Sequence, residues 1–289
     1  MSDQTAAASK GRGPLPQKFP HEPERIRKGA ALIAAMRRKE IEIQGEVGLP
    51  GDAYPRNIDE AQLMADMVAE ILGWPIRGYK YYINARIQQA PMMSPIYHIW
   101  DSPAVLSEED SQHRWIEPEL AFRTLVDFPA RDKPYGYQEI IEGVEAVPVF
   151  ELIGPRFRFD SPQHMRALVN ARRDNPKFDG MADSHASGGY VVGTAVKDWK
   201  DLDWLNMRVT MDAGDDRMVD TVGGHPLVDP FISTVPLINT LRRKGKGVAA
   251  GQLLASHSYS GFLSVPIDAP IVSTFSYFDP IEAIFKSKG

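Results

Sequence analysis

The sequence predicts an α+β protein, with helices in the first quarter and then a large, mixed and mostly antiparallel β domain. Three observations predict it. Near the start, apolar residues recur at helical spacing; from Gly78 onward the apolar runs are short, β-branched or aromatic, and bounded by turn residues; and two later segments return to helical spacing between strands.

Residues 1–20, "MSDQTAAASKGRGPLPQKFP", are rich in Ala, Ser, Gly and Pro and are expected to form a flexible tail, without the apolar core of a signal peptide. Residues 21–75 form a helical portion. In it "EPERIRKGAALIAAMRRKEIEI" spaces Ile26, Ala30, Ile33 and Met36 along one face, "QGEVGLPGDAYPRN" reads as a loop, and "NIDEAQLMADMVAEILGW" opens on Asn57 as N-cap.

Residues 76–289 are expected to form the β domain. Its strands are read in "GYKYYINA", "WIEPELAFRTLV", "AVPVFELIG", "GGYVVGTAV", "LNMRVTMDA", "RMVDTVGG", "QLLASHS" and "APIVSTFSYF", with "AGDDR" as a hairpin turn. Two helices interrupt them, "SPQHMRALVNARRD" from Ser161 and "PLVDPFISTVPLINTLRRKGKG" ending at Gly245 and Gly247.

Composition excludes several classes of function. The 289 residues are 43% hydrophobic, and the net charge of -5 comes from 38 acidic and 33 basic residues with no long block of either sign, which argues against nucleic acid or a membrane surface as partner. Cysteine is absent, so disulfides and thiolate chemistry are excluded and a cytoplasmic setting is expected. Any metal must sit on oxygen or imidazole ligands.

"RWIEPELAF" carries the strongest chemical signal. On a strand, Glu117 and Glu119 share one face and lie about 6.7 Å apart, close enough for two long side chains to converge on one ion. Two such carboxylates repel each other unless a cation lies between them. The same spacing at Glu22/Glu24 and Glu40/Glu42 falls in charged, helical sequence and reads as a solvated face. Glu151, alone in the apolar run "PVFELIG", is a third candidate. Pattern alone leaves two readings open: a metal site, or structural carboxylates satisfied by arginine or backbone donors.

Taken in order, "GYKYYINA", "IEPELAF", "PVFELIGPRF", "MADSHASGGYVVG", "GGHPL" and "GVAAGQLLASHS" resemble the motif series of the fumarylacetoacetate hydrolase superfamily, and within it the 2-oxopent-4-enoate hydratase and 4-oxalocrotonate decarboxylase branch. The resemblance runs from about residue 58 to the C-terminus. It implies a mixed β-roll and a homo-oligomer. It also implies Glu117, Glu119 and Glu151 as ligands of Mg²⁺ or Mn²⁺, and Lys80 as an active-site cation able to shuttle a proton or bind a carboxylate. Asp183, His185, Ser256 and His257 become catalytic candidates, and Tyr97, Ser184 and Leu120 substrate-binding ones. The implied substrate is a small 2-oxo or 2-hydroxydienoic acid. The implied reaction is hydration to a 4-hydroxy-2-oxo acid in the catabolism of aromatic or related compounds, with decarboxylation of a 2-oxo-3-enedioate, acylpyruvate cleavage and a noncatalytic role as alternatives.

The departures concern histidines. Ser184, His185 and Ala186 stand where the family has Asn, Ala and Ser; His257 replaces a glycine; and His225, beside a Gly-Pro turn, replaces an aspartate. His225 is expected to have a local structural role, whereas His185 and His257 fall in segments that line the family's pocket.

Overall fold

The computed structural model describes residues 23–82, 92–171 and 178–287. The expected tail, residues 1–20, lies outside them, as do the last residues of "GYKYYINA" and "SPQHMRALVNARRD".

Two helices open the described chain, α1 (Glu24–Arg37) and α2 (Ile58–Leu72). Asn57 caps α2 by accepting from the Glu60 amide, while the Glu60 carboxylate accepts from the Arg56 amide, so two amides left unpaired at the helix start are satisfied. Gly73 ends α2 in the left-handed conformation. Ile26, Ala30 and Ile33 of α1 are fully buried and share a core with Met64 and Met67 of α2 and with Trp115, Phe157 and Phe159 from the β part. The N-terminal helices are therefore built into the main body of the protein. One turn beyond Ile33, the same buried stripe is continued by Arg37.

Strands and further helices follow in the order β1 (Gly78–Tyr82), β2 (Met92–Ile96), β3 (Ile99–Asp101), β4 (Ala104–Leu106), β5 (Trp115–Thr124), α3 (Tyr137–Glu142), β6 (Val144–Ile153), α4 (Pro162–Ala171), α5 (Phe178–Ala182), β7 (Ser187–Val192), β8 (Arg208–Ala213), β9 (Asp216–Val222), α6 (Thr234–Arg243), β10 (Leu253–Ser258), β11 (Leu263–Ser264), β12 (Pro270–Phe275) and β13 (Ile281–Phe285). They form an eight-stranded sheet, β2-β1-β10-β5-β6-β7-β3 with β11 on β5, and a five-stranded sheet, β4-β13-β12-β8-β9. Among the strands of the described residues, the β1–β10, β3–β7 and β4–β13 pairs are parallel and the others antiparallel. Gly78 is needed where β1 meets β10, because a Cβ there would lie 2.0 Å from the Leu253 carbonyl oxygen.

Alternation gives the large sheet two different faces. Ile116, Leu120, Phe150, Leu152 and Val191 pack against Val209, Met211 and Ile271 of the second sheet, while Phe122, Ala146 and Leu254 pack against Leu237, Ile238 and Leu241 of α6. The opposite face carries a smaller apolar cluster that includes Ile96, Ala121, Val147, Val149, Tyr190 and Ala255, and with it the polar residues described below.

The second late helix is shorter than its sequence suggests. Residues 226–229 are not helical; Asp229 caps a short 3₁₀ turn, Pro230–Ser233, and the α-helix proper starts at Thr234. Pro226 and Pro230 deny the backbone donors that a helix running through them would need.

Candidate metal centre

β5 and β6 run antiparallel with Glu117 directly opposite Glu151 and Glu119 opposite Val149, so all three glutamates emerge on one face. One oxygen from each lies within 4.8 Å of the others. Glu119 and Glu151 are almost completely buried and Glu117 is 9% exposed. Glu119 Oε2 and Glu151 Oε1 are buried with no hydrogen-bond partner among the described residues. A buried carboxylate oxygen without a donor is costly, and two in one cluster call for a counter-ion.

Lys80 arrives on the same face from β1, flanked in register by Ser94 and Ala255, and its Nζ forms an ion pair with Glu151. Burial alone would depress its pKa, but the charges of Glu151, Glu119 and Glu117 raise it and hold the ammonium protonated. One lysine cannot neutralise three carboxylates. Burial, then the charge of Glu151, pushes Glu117 up to about 8 and Glu119 well above the usual carboxylate range. Without a further cation the cluster retains protons. The arrangement fits a hard divalent ion, which accepts oxygen ligands and would take the place of those protons.

Two residues that sequence reasoning missed join this face. Tyr190 pairs with Glu151, is fully buried, and has its hydroxyl in the field of all three glutamates. Its signal was its place in the alternation of "GGYVVG", legible only once the pairing is known. Ser94, a lone hydroxyl in "MMSPI", shares a 3.3 Å hydrogen bond with His185 Nδ1. Burial, then the charge of Lys80, pulls His185 down to about 3, so its ring is neutral at ordinary pH.

Ser184, His185 and Ala186 have φ of 55°, 51° and 65°, three consecutive non-glycine residues in the left-handed region. Asp183 fixes this turn. Its carboxylate pairs with Arg37 at 2.8 Å and accepts from the Arg156 amide at 2.7 Å, and its carbonyl accepts from the Ala186 amide. Completely buried and held in this way, Asp183 acts on the turn that presents His185. Arg37 was the third residue missed; its signal was a cation in an apolar stripe.

The other candidates lie elsewhere. Ser256 and His257 sit in a bulge of β10, between the Ala255–Ala121 and Ser258–Glu119 pairs, next to the cross-strand partner of Glu119. The His257 ring is 5.9 Å from that of His225, which is buried and pulled down to about 4 by burial and the His257 charge; His225 Nδ1 accepts from the Leu227 amide within its own turn. Tyr97 packs edge-on to Trp74 beneath the Arg37 guanidinium, and Ser184 is buried in the strained turn. Leu120 points into the core on the opposite face of β5, so its side chain does not reach the acidic face.

No protein-family description and no curated protein matches the sequence. Solved structures do. The architecture is of the fumarylacetoacetate hydrolase type, a curled, mostly antiparallel β-roll with helices around it. The chain is similar to 4-oxalocrotonate decarboxylase from Pseudomonas putida G7 complexed with calcium and acetate, at TM-score 0.69 and 17% identity, covering 91% of this chain and 98% of that one. The same enzyme complexed with magnesium and adipate matches at TM-score 0.67 and 16% identity, over 89% and 97% of the two chains. Among the described residues no helix is long and apolar enough to cross a membrane.

Proposed function

We propose that this protein belongs to the hydratase and decarboxylase branch of that superfamily and is a divalent-metal-dependent lyase. It adds water to a 2-hydroxy-2,4-dienoate, or its 2-oxo-4-enoate tautomer, to give a 4-hydroxy-2-oxo acid. The observation that carries the reading is the buried Glu117–Glu119–Glu151 cluster with two donorless oxygens and Lys80 beside it. Those glutamates would hold Mg²⁺ or Mn²⁺. Once bound, the ion supplies Lewis-acid stabilisation for the negative charge that develops on the substrate's C2 oxygen as a proton moves.

The chain's own groups do the rest. Lys80, kept protonated by the glutamates, binds the substrate carboxylate or delivers a proton. His185, neutral and held by Ser94, is a second group able to exchange a proton. Ala121, Val149 and Val192 give the face an apolar wall that limits water around the reacting atoms. The same reading carries a homo-oligomeric, cytoplasmic enzyme in the catabolism of aromatic or related compounds.

A second reading is decarboxylation of a 2-oxo-3-enedioate by the same charge stabilisation. It is favoured by the likeness to a 4-oxalocrotonate decarboxylase, one structure of which holds the dicarboxylate adipate. Acylpyruvate cleavage has less support: of the histidines before β5, His113 bonds the Phe159 carbonyl and His98 lines a separate cleft.

The test follows the ultraviolet absorbance of 2-hydroxypenta-2,4-dienoate with purified protein, with Mg²⁺ and then with EDTA. Metal-dependent loss of the chromophore, with solvent oxygen in the product, supports hydration. Carbon dioxide release from 2-oxo-3-hexenedioate without such loss supports the second reading. Inertness toward both substrates rejects both.

A further inference from the structure

Away from the acidic cluster, the C-terminal end of α1 meets β3, β7 and the loop after β6 around a cavity of about 400 Å³. This is within the range of small-molecule sites. Its lining is unlike the metal centre, with four cations, Arg37, Arg38, Lys39 and Arg156, set around Trp74 and Trp100. His98 lies between the two indoles, its ring 5.5 Å from that of Trp74 and 6.0 Å from that of Trp100.

The four cations meet three carboxylates, Asp183, Glu109 and Asp110, which leaves one positive charge in excess. Arg37 is paired with Asp183 and Lys39 with Glu109, and the Asp110 carboxylate is engaged by the Ser107 amide and hydroxyl. Among the described residues the Arg38 and Arg156 guanidinium groups donate to backbone carbonyls, of Ile71 and Gly154, and Arg156 also lies in the field of Asp183 and Asp110. Arg37 is 5% exposed, and its Nε is buried with no hydrogen-bond partner among the described residues. Unpaired guanidinium donors beside flat rings suit a planar anion, which takes the donors with its carboxylate and covers the indoles with its body. The field is felt by the neighbours. His98 is held below the usual imidazole range by burial and then by Arg156 and Arg37, and Arg156 is pulled down to about 10 by burial and then by Arg37.

We propose that this cavity is a binding site for a small aromatic carboxylate, distinct from the metal centre. Arg37 belongs both to its wall and to Asp183, so an anion bound here is one ion pair away from the turn that presents His185. The proposal does not depend on the lyase reading.

The probe is benzoate, titrated calorimetrically into the Mg²⁺-loaded full chain. Saturable binding is expected, with no comparable binding of the neutral analogue benzamide. Arg38 and Lys39 are exposed, so their removal spares the fold; the double variant Arg38→Gln/Lys39→Gln should weaken benzoate about ten-fold. Glu119→Gln, which alters the acidic cluster alone, should leave it unchanged. The proposal is overturned by no benzoate binding, by equal binding of benzamide, or by loss in Glu119→Gln with none in the double variant, which would put the anion at the glutamates. Self-association that requires Arg38 and Lys39 in a protein indifferent to benzoate also overturns it, assigning the cavity to a carboxylate of a second copy.

Discussion

Among the described residues two groups of metal-ligand side chains bring three ligand atoms within 4.8 Å, and they differ in everything else. Glu117, Glu119 and Glu151 project from two paired strands into the protein, with two oxygens lacking donors among the described residues. Glu46, Asp160 and His164 lie at the surface; His164 and Glu46 form a 2.7 Å pair with side chains about one-third exposed. The second group is open to solvent, so burial does not force a counter-ion on it. Asp183 is a useful third case, a buried carboxylate with its own cation in Arg37. Convergence of acids therefore says little by itself; burial of more negative charge than the protein neutralises is what points to a metal.

The largest effect that would break this contrast is at Glu119. Glu119→Gln should lower turnover of the dienoate by about a thousand-fold or more, the loss expected when several kcal/mol of charge stabilisation go. In EDTA, at high pH where the native cluster loses its protons, the same variant should melt higher than the native protein, because a repelling carboxylate has gone. Glu46→Gln should change neither. An active Glu119→Gln enzyme, or equal effects at both clusters, would remove the distinction.

The paired acid should behave in the opposite way. Arg37→Met leaves Asp183 buried without its cation and should destabilise the protein by about 3–5 kcal/mol in chemical denaturation, with much of that recovered in Arg37→Met/Asp183→Asn. No recovery in the double variant would mean that Arg37 acts through packing alone.

A smaller effect is expected at Tyr190. Tyr190→Phe keeps the ring in its place and removes the hydroxyl beside Glu151, so Mg²⁺ affinity should fall about 10–100-fold with the far-ultraviolet dichroism unchanged. Unaltered affinity would reduce Tyr190 to a core residue.

The smallest effect is the pH dependence of the metal-free protein. The pKa of Glu117 in the fold, about 8, is above its ordinary value of 4.5, and Glu119 is displaced in the same direction. Their protonated forms are thus favoured by folding. That stability is complete below 4.5 and is lost as pH rises through about 8. Melting in EDTA should therefore fall across that window, and Mg²⁺ should bind more tightly at pH 8.5 than at pH 6.5, releasing protons at the lower pH. A flat profile would mean that the glutamates are already ionised and neutralised by the protein.

How much of this was legible in the sequence depends on the range of the interaction. Alternation placed Glu117 and Glu119 on one face, and the apolar setting singled out Glu151, because both signals lie within one strand. The direct opposition of Glu117 and Glu151, and the arrival of Tyr190 beside them, depend on strand register, which side-chain pattern does not encode. β3, β4 and β11 were missed because two or three residues carry no periodicity. β2 was missed because Pro95 breaks its run and β13 because "IEAIF" follows a turn at the chain end. The Arg37–Asp183 pair joins the first helix to the strained turn, so neither partner's neighbours announce the other. The motif resemblance gave Asp183 a catalytic reading; in the structure its carboxylate is taken up by Arg37 and the Arg156 amide.

The measurement that tests the central claim most directly is calorimetric titration of Mg²⁺ into EDTA-stripped, dialysed protein, for the native chain and for Glu119→Gln. The account predicts one saturable site per chain in the native protein and none in the variant. Absence of binding in the native chain, or binding that persists in Glu119→Gln, would contradict it.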